Sequence, residues 1–189
     1  MKTDTHITEK AKTFAAKAHD GQILKNVGKD PFIMHPARVV EIVEGIGGGV
    51  EEIAAAWLHD VVEDTKVTIE QIRQEFGDSI ADMVDGLTDP PSFEGYPNRI
   101  RKKWQADRVV SKSDSVKKIK LADQTVNSRL VGFDPPVGWS PEMRLEYLEG
   151  ARLIANNCAG ICEKLDIVFD DVYKKSAEKI RADMAHKVR

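Results

Sequence analysis

The sequence has few cysteines and no long apolar run. Cys158 and Cys162 are the only cysteines among its 189 residues, which argues against a disulfide framework. No stretch reaches the roughly 20 consecutive apolar residues that a membrane-spanning helix needs. The first ten residues, MKTDTHITEK, lack the apolar segment of a signal peptide. These absences predict a soluble, cytoplasmic protein without a membrane partner.

An excess of positive charge is also missing. Lys and Arg number 28 against 31 Asp and Glu, so the formal net charge is −3. Proteins that bind nucleic acid polymers along the phosphate backbone usually carry the opposite balance, so we expect no such partner. The apolar content of 41% is too high for a disordered chain. The length predicts a single domain over residues 1–189 and leaves the oligomeric state open.

Helical spacing of apolar residues dominates the sequence, whereas the alternation typical of strands is almost absent. We therefore predict an all-α bundle of roughly eight to ten helices, the last over about residues 166–185. Two proline-rich stretches, residues 89–97 and 134–141, interrupt the pattern and are predicted to be loops. Ordered loops of this length are often functional. Whether they close over a ligand is left open by the sequence.

Four ionisable residues stand in an otherwise apolar helical segment that includes Trp57. They are His59, Asp60, Glu63 and Asp64. Burying an unpaired carboxylate costs several kcal/mol, so these side chains need a metal ion, charged partners or water. Two simpler interpretations compete: a core histidine with a satisfied hydrogen bond, and an acidic pair on a solvated helix face.

His35 and Asp123 add two more groups of the same chemistry. Alone, His35 is typical of a turn or helix cap, and Asp123 of an ion pair. Together with His59 and Asp60 they form a set of two imidazoles and two carboxylates. Such a set suits Mn²⁺, Fe²⁺, Co²⁺ or Zn²⁺, and the lack of thiolate argues against a structural zinc site. Free coordination positions for water and a substrate oxygen would permit hydrolysis.

The order of these residues resembles the HD superfamily of metal-dependent phosphohydrolases. Four longer segments resemble the hydrolase domain of RelA/SpoT proteins, and a fifth and sixth resemble its small stand-alone branch, the metazoan SpoT homologues. The similarity extends over about residues 5–165. The segments are Ala18-His19-Asp20-Gly21-Gln22, Pro31-Phe32-Ile33-Met34-His35-Pro36, Leu58-His59-Asp60-Val61-Val62-Glu63-Asp64-Thr65, Lys120-Leu121-Ala122-Asp123-Gln124-Thr125-Val126-Asn127, Gly138-Trp139-Ser140 and Glu146-Tyr147.

The resemblance implies an HD-domain fold and hydrolysis of the 3′-pyrophosphate of (p)ppGpp to GDP or GTP plus pyrophosphate, with Mn²⁺. It implies that Glu63 and Asp64 position and deprotonate the attacking water. A carboxylate beside a metal-activated water is well placed to accept that proton. The implied metal ligands are His35, His59, Asp60 and Asp123.

An anionic substrate also needs local positive charge. The helix predicted after the first proline-rich stretch starts with several basic residues, including Arg99, Arg101 and Lys102. The helix predicted after the second stretch begins near Arg144. Such groups can clamp phosphates, although an exposed basic face is the simpler interpretation of each.

The resemblance implies further contacts with the nucleotide. Lys25 and Asn127 match substrate-binding positions of the family, and Trp139 and Tyr147 would lie beside the nucleotide. Aromatic residues at helix edges otherwise serve in packing.

Leu24, Gln124 and Met143 depart from the family pattern, which commonly has basic residues there. None of the three belongs to the implied metal set, so the departures bear on the substrate. The alternatives are therefore an HD phosphohydrolase acting on another nucleotide, such as ppApp or NADPH, and a non-catalytic module that binds a nucleotide.

Overall fold

A computed structural model describes residues 2–26 and 28–187 of the chain. Over these residues it contains ten α-helices and one 3₁₀ helix, and no strand beyond two isolated bridges, which confirms the all-α prediction. The elements are α1 Lys2–Ala18, α2 Met34–Gly45, α3 Val50–Leu58, α4 Val61–Asp64, α5 Ile69–Phe76, α6 Asp78–Leu87, a 3₁₀ helix at Pro91–Phe93, α7 Asn98–Val109, α8 Asp114–Phe133, α9 Pro141–Cys158 and α10 Glu163–Lys187.

Helix α8 lies at the centre of the bundle. It packs against α2, α3, α6, α9 and α10. All six residues from 121 to 126 are buried, so this part of the helix is enclosed on every side. Asp123 and Gln124 are therefore carried into the interior by apolar neighbours such as Ile119 and Ala122.

Two glycines allow close contacts around α8 and α9. A Cβ atom on Gly132 would lie 2.5 Å from the Ser176 hydroxyl of α10, and one on Gly150 would lie 2.7 Å from the Cβ of Lys102. Real Cβ atoms do not make contacts this short. Glycine at these positions thus lets α10 pack on α8 and lets the stem of Lys102 lie against α9.

The segment that carries His59 and Asp60 is not one continuous helix, contrary to the sequence-based expectation. Helix α3 ends at Leu58, and α4 begins at Val61. The Nδ1 atom of His59 hydrogen-bonds the carbonyl of Ala56 at 2.8 Å. In a regular helix that carbonyl would accept the amide of Asp60, so the imidazole competes with the backbone ladder here.

The two proline-rich stretches form loops that are held against the helices. In the first loop, the rings of Phe93 and Tyr96 each lie 4.9 Å from that of Trp104 on α7. In the second, the amide of Val137 donates to the carbonyl of Lys25 at 2.9 Å. The last helix begins three residues before the expected boundary. None of the helices described is both long and apolar enough to cross a membrane.

Candidate metal centre and active-site cleft

Four side chains from three parts of the chain converge inside the bundle. His35 lies in the first turn of α2, His59 and Asp60 lie between α3 and α4, and Asp123 lies in the middle of α8. The Nε2 atoms of the two histidines are 3.2 Å apart. Asp60 Oδ2 lies 3.3 Å from Nε2 of His35 and 3.2 Å from Nε2 of His59. Asp123 Oδ1 lies 3.3 and 3.8 Å from the same two atoms.

These distances fit a divalent metal ion. Ligands about 2.1 Å from an ion are separated by about 3.0 Å on an octahedron and about 3.4 Å on a tetrahedron. Three ligand atoms, one from each of His35, His59 and Asp123, lie within 4.8 Å of one another. The hydrogen bond from Nδ1–H of His59 to Ala56 leaves Nε2 with its lone pair towards the other donors. The donor set therefore suits a transition-metal ion.

The charges of Asp60 and Asp123 act on the buried His59 imidazole. Burial lowers the pKa of His59, but the charges and hydrogen bond of Asp60 and Asp123 outweigh it and raise that pKa to about 9. Burial raises the pKa of Asp123, yet His35 and Lys120 hold it well below its ordinary value. The two carboxylates thus favour positive charge at this point of the site, either a proton on the imidazole or a metal ion.

The acidic pair of α4 lies on the rim of the same cleft. Glu63 Oε2 accepts the backbone N–H of Asp89 at 3.1 Å, and Oε1 accepts Nη2 of Arg101 at 3.2 Å. Burial and the nearby charge of Asp89 raise the pKa of Glu63. Burial and the charge of Asp60 raise that of Asp64. A carboxylate with a raised pKa is a better proton acceptor, which general-base catalysis requires.

The cleft has a volume of about 190 Å³ and joins the metal-ligand cluster to the acidic pair. Four of the predicted substrate-binding residues line it, namely Arg101, Lys102, Asn127 and Tyr147. Asn127 Nδ2 donates to Oδ1 of Asp123 at 2.6 Å, so its amide also orients a metal-ligand candidate.

Lys102 is buried in the cleft and forms no ion pair with any carboxylate of the residues that the structure describes. Its Nζ donates to Oε1 of Gln124 at 2.6 Å and lies 4.2 Å from the ring centroid of Tyr147. Gln124 in turn donates to Oδ2 of Asp123 at 2.7 Å. Desolvation lowers the pKa of Lys102 to about 7. An anion bound in the cleft would favour the protonated form of this buried amine, so Lys102 is placed to meet an anionic ligand.

Replacing Lys102 with methionine is expected to change how stability depends on pH. Between about pH 7 and the ordinary lysine pKa of about 10.4, the unfolded chain binds a proton that the folded chain lacks. The stability of the unaltered chain therefore gains from this group as pH rises. The gain in the free energy of unfolding on Lys102→Met should be largest at pH 7 and below, and should be about 2 kcal/mol smaller at pH 9 than at pH 7. Urea unfolding of both proteins at each pH, with a chelator present, measures this difference in stability. A difference that does not change with pH would contradict the lowered pKa of Lys102.

Arg144 does not line the cleft, and this corrects its predicted role as a phosphate clamp. Its Nε and Nη2 donate to the carbonyls of Val131 and Gly132 at 2.8 and 2.7 Å. Its Nη1 donates to Asp183 of α10 at 2.9 Å. The buried guanidinium thus binds the last carbonyls of α8, which lack helical partners, and ties α8, α9 and α10 together.

Arg144→Met is accordingly expected to destabilise the protein by about 3 kcal/mol, because the carbonyls of Val131 and Gly132 lose their donor and Asp183, among the residues described, keeps only Lys179. The rate per folded molecule should stay the same. Urea unfolding compared with Arg181→Met, an exposed position on α10, measures the effect. A variant of unchanged stability but impaired substrate binding would restore the original prediction.

The remaining predicted substrate-binding residues lie outside the cleft. Lys25 is exposed and lines a neighbouring cavity of about 600 Å³, which shares Leu24 and Asp64 with the cleft. Arg99 is exposed at the start of α7. Trp139 packs on Tyr147 with a ring separation of 5.5 Å.

Sequence reasoning missed three residues of the site. Lys120 and Gln105 line the cleft, and Asp89 is buried next to Glu63. Lys120 precedes Asp123 by three residues and so shares its helix face, a signal that could have identified it. Nothing local marks Gln105 or Asp89, because their partners are distant in sequence.

The fold and the donor set define a metal-dependent hydrolase of helical architecture, and comparison with known proteins agrees. A model of the HD domain matches residues 11–131. The chain therefore belongs to the HD-domain family, as the resemblance predicted.

Individual relatives narrow this class further. Guanosine-3′,5′-bis(diphosphate) 3′-pyrophosphohydrolase MESH1 of Xenopus tropicalis is 35% identical over 177 residues, 90% of this chain and 97% of the relative. The protein of the same name from Danio rerio is 38% identical over 162 residues, which are 82% of this chain and 88% of the relative. A solved structure of a metazoan orthologue of SpoT, described as hydrolysing ppGpp, superposes with a TM-score of 0.83 at 30% identity. The superposition covers 89% of this chain and 94% of the chain in that structure.

Proposed function

We propose that this protein hydrolyses the 3′-pyrophosphate of ppGpp and pppGpp, giving GDP or GTP and pyrophosphate. The observation that carries the proposal is the convergence of His35, His59, Asp60 and Asp123 beside the Glu63 carboxylate in one cleft. The names of relatives that are 35 and 38% identical support the same substrate.

In this proposal His35, His59, Asp60 and Asp123 hold one divalent ion, which we take to be Mn²⁺. When bound, the ion supplies Lewis acidity that lowers the pKa of water and offsets charge on phosphate oxygens. The chain supplies the fixed orientation of the donors. The hydrogen bonds from His59 to Ala56 and from Asn127 to Asp123 orient two of the four donors, His59 and Asp123, before any ligand arrives.

Glu63 acts as the proton acceptor for the attacking water. Its two oxygens are held by Arg101 and by the amide of Asp89, and its raised pKa favours proton uptake during the reaction. Asp64, on the same rim, orients the water. The water oxygen bonds to the phosphorus next to the ribose, and the bond from that phosphorus to the ribose 3′-oxygen breaks. The 3′-oxygen takes up a proton from solvent, and pyrophosphate leaves with the oxygen of the water.

The cationic side chains of the cleft offset the charge of the substrate. Arg101, Lys102 and Lys120 line one small volume with the carboxylates. Lys102 is buried, so its charge acts more strongly than it would on the surface, whereas Arg101 lies on the part-exposed rim. Asn127 and Tyr147 complete the cleft, and Lys25 contributes a cation from the adjoining cavity.

A second candidate substrate is another anionic nucleotide, such as ppApp or NADPH. The adjoining cavity, where a base would fit, is walled mainly by apolar side chains such as Ile23, Leu24 and Phe32. The polar side chain of Gln22 is already engaged with His19 and the backbone of Asp64. The apolar walls do not distinguish guanine from adenine, so any such distinction would depend on Lys25, Asn26 and Asp64, which line the same cavity.

A substrate panel tests the proposal. The purified chain with Mn²⁺ is offered ppGpp, ppApp and NADPH, and the release of pyrophosphate or phosphate is measured. We expect pyrophosphate from ppGpp. Turnover of ppApp or NADPH alone would favour the second candidate. Bound metal and bound nucleotide without turnover of any substrate would indicate a non-catalytic module and contradict the proposal.

We also propose that the whole chain forms one domain. Helix α10 packs on both α8 and α9, and Leu165 and Phe169 belong to the same apolar core as α1, α2 and α3. An independent C-terminal domain would need a core of its own.

A further inference from the structure

We propose that Asp89, at the start of the first proline-rich loop, is a positioning residue that fixes the orientation of the Glu63 carboxylate and the Arg101 guanidinium. The inference rests on the proposed function and gives a role to a residue that lies outside the six segments that carry the family resemblance. It is drawn from the contacts that Asp89 makes with both groups.

Asp89 reaches Glu63 by two routes. Its backbone N–H donates to Glu63 Oε2 at 3.1 Å. Its carboxylate Oδ2 accepts Nη2 of Arg101 at 3.3 Å, and the same nitrogen donates to Glu63 Oε1 at 3.2 Å. Both oxygens of Glu63 are thus held, one by the main chain of Asp89 and one through its side chain. This arrangement leaves the Glu63 carboxylate little freedom to turn.

Asp89 is itself fixed. Only 7% of the residue is exposed. Its Oδ2 also accepts Nε2 of Gln105 at 2.5 Å, and its Oδ1 lies 3.7 Å from Nη1 of Arg108. The packing of Phe93 against α7 anchors the loop that follows. A buried carboxylate surrounded by three donors from one helix is a rigid support rather than part of a swinging loop.

The charges around Glu63 decide what the loss of Asp89 would do. Burial raises the pKa of Glu63, and the negative charges of Asp89 and Asp60 raise it further, while Lys120 lowers it. Arg101 pairs with both Glu63 and Asp89. Without the Asp89 charge, Arg101 would pair with Glu63 alone. The loss of the Asp89 charge and the exclusive pairing with Arg101 would each lower the pKa of Glu63. Its carboxylate would then be a weaker proton acceptor.

The test is Asp89→Asn in the full chain with saturating Mn²⁺ and ppGpp, because asparagine keeps the volume and the backbone N–H. We expect kcat to fall about tenfold and KM to change less than about threefold. We expect the acid limb of the kcat–pH profile to move to lower pH. A role in packing alone would not move that limb.

Asp85→Asn on α6 is the matched control, since it removes the same charge from an exposed side chain. It should keep the rate and the pH profile of the unaltered chain. Asp89→Ser, which is smaller and also neutral, repeats the test if the asparagine variant does not fold. An acid limb that stays in place in a folded variant overturns the positioning role, whatever the rate.

Failure of the inference can be told apart from failure of the proposed function. An active unaltered chain with an unmoved limb in the variant overturns the role of Asp89 alone. An unaltered chain that releases no pyrophosphate from ppGpp contradicts the proposed function, and the role of Asp89 falls with it.

Discussion

Asp60→Ala is expected to abolish metal binding and, with it, nearly all hydrolysis. Asp60 Oδ2 lies within 3.3 Å of both imidazole nitrogens, so its removal takes away one donor and the charge that faces both histidines. We expect the affinity for Mn²⁺ to fall by at least about 100-fold, because even the loss of a group that only supports a ligand costs about 10- to 100-fold. The rate should fall by about 10³-fold or more at limiting metal. Titration calorimetry and elemental analysis of the purified variant measure the first effect directly.

Asp107→Ala provides the control for this experiment. Asp107 is exposed on α7 and does not line the cleft. The control should bind Mn²⁺ like the unaltered chain. Full metal occupancy in Asp60→Ala would contradict the assigned set of ligands, whatever the rate of that variant.

Glu63→Gln is expected to keep the metal and lose most of the turnover. Glutamine has the same shape, and its amide oxygen can still accept a hydrogen bond from the Asp89 amide or from Arg101. It cannot accept the proton of the attacking water, so kcat should fall by about 10²- to 10⁴-fold. The affinity for Mn²⁺ should stay within about threefold of the unaltered value. Steady-state kinetics and calorimetry on the same preparation separate the two quantities.

Glu70→Gln, an exposed position on α5, serves as the matched control and should keep full activity. An unchanged rate in Glu63→Gln would remove the proton-accepting role from Glu63. A large loss of metal in that variant would instead add Glu63 to the ligand set.

The all-α fold was predictable from the sequence because apolar residues recur at helical spacing along most of its length. The metal-ligand candidates were predictable for a different reason. His59 and Asp60 are ionisable groups in an apolar segment, and such groups need partners. His35 and Asp123 come from other helices, so spacing alone could not bring them to the same point. The similarity of the surrounding segments to a known family supplied that link.

Other features depend on contacts that no local pattern encodes. Arg144 was predicted to clamp phosphate because it begins a helix after a proline-rich loop. It is instead buried against the end of α8, whose carbonyls need a donor. The role inferred for Asp89 depends on Glu63, 26 residues away in sequence. The break at His59 follows from one hydrogen bond between a side chain and the backbone.

The central claim is that water attacks the phosphorus next to the ribose 3′-oxygen of ppGpp in this cleft. Hydrolysis in water enriched with ¹⁸O, followed by mass spectrometry of the products, tests it most directly. The account predicts pyrophosphate that carries one ¹⁸O atom and GDP that carries none. Release of orthophosphate, label in the GDP, or no product from ppGpp with metal bound would contradict it.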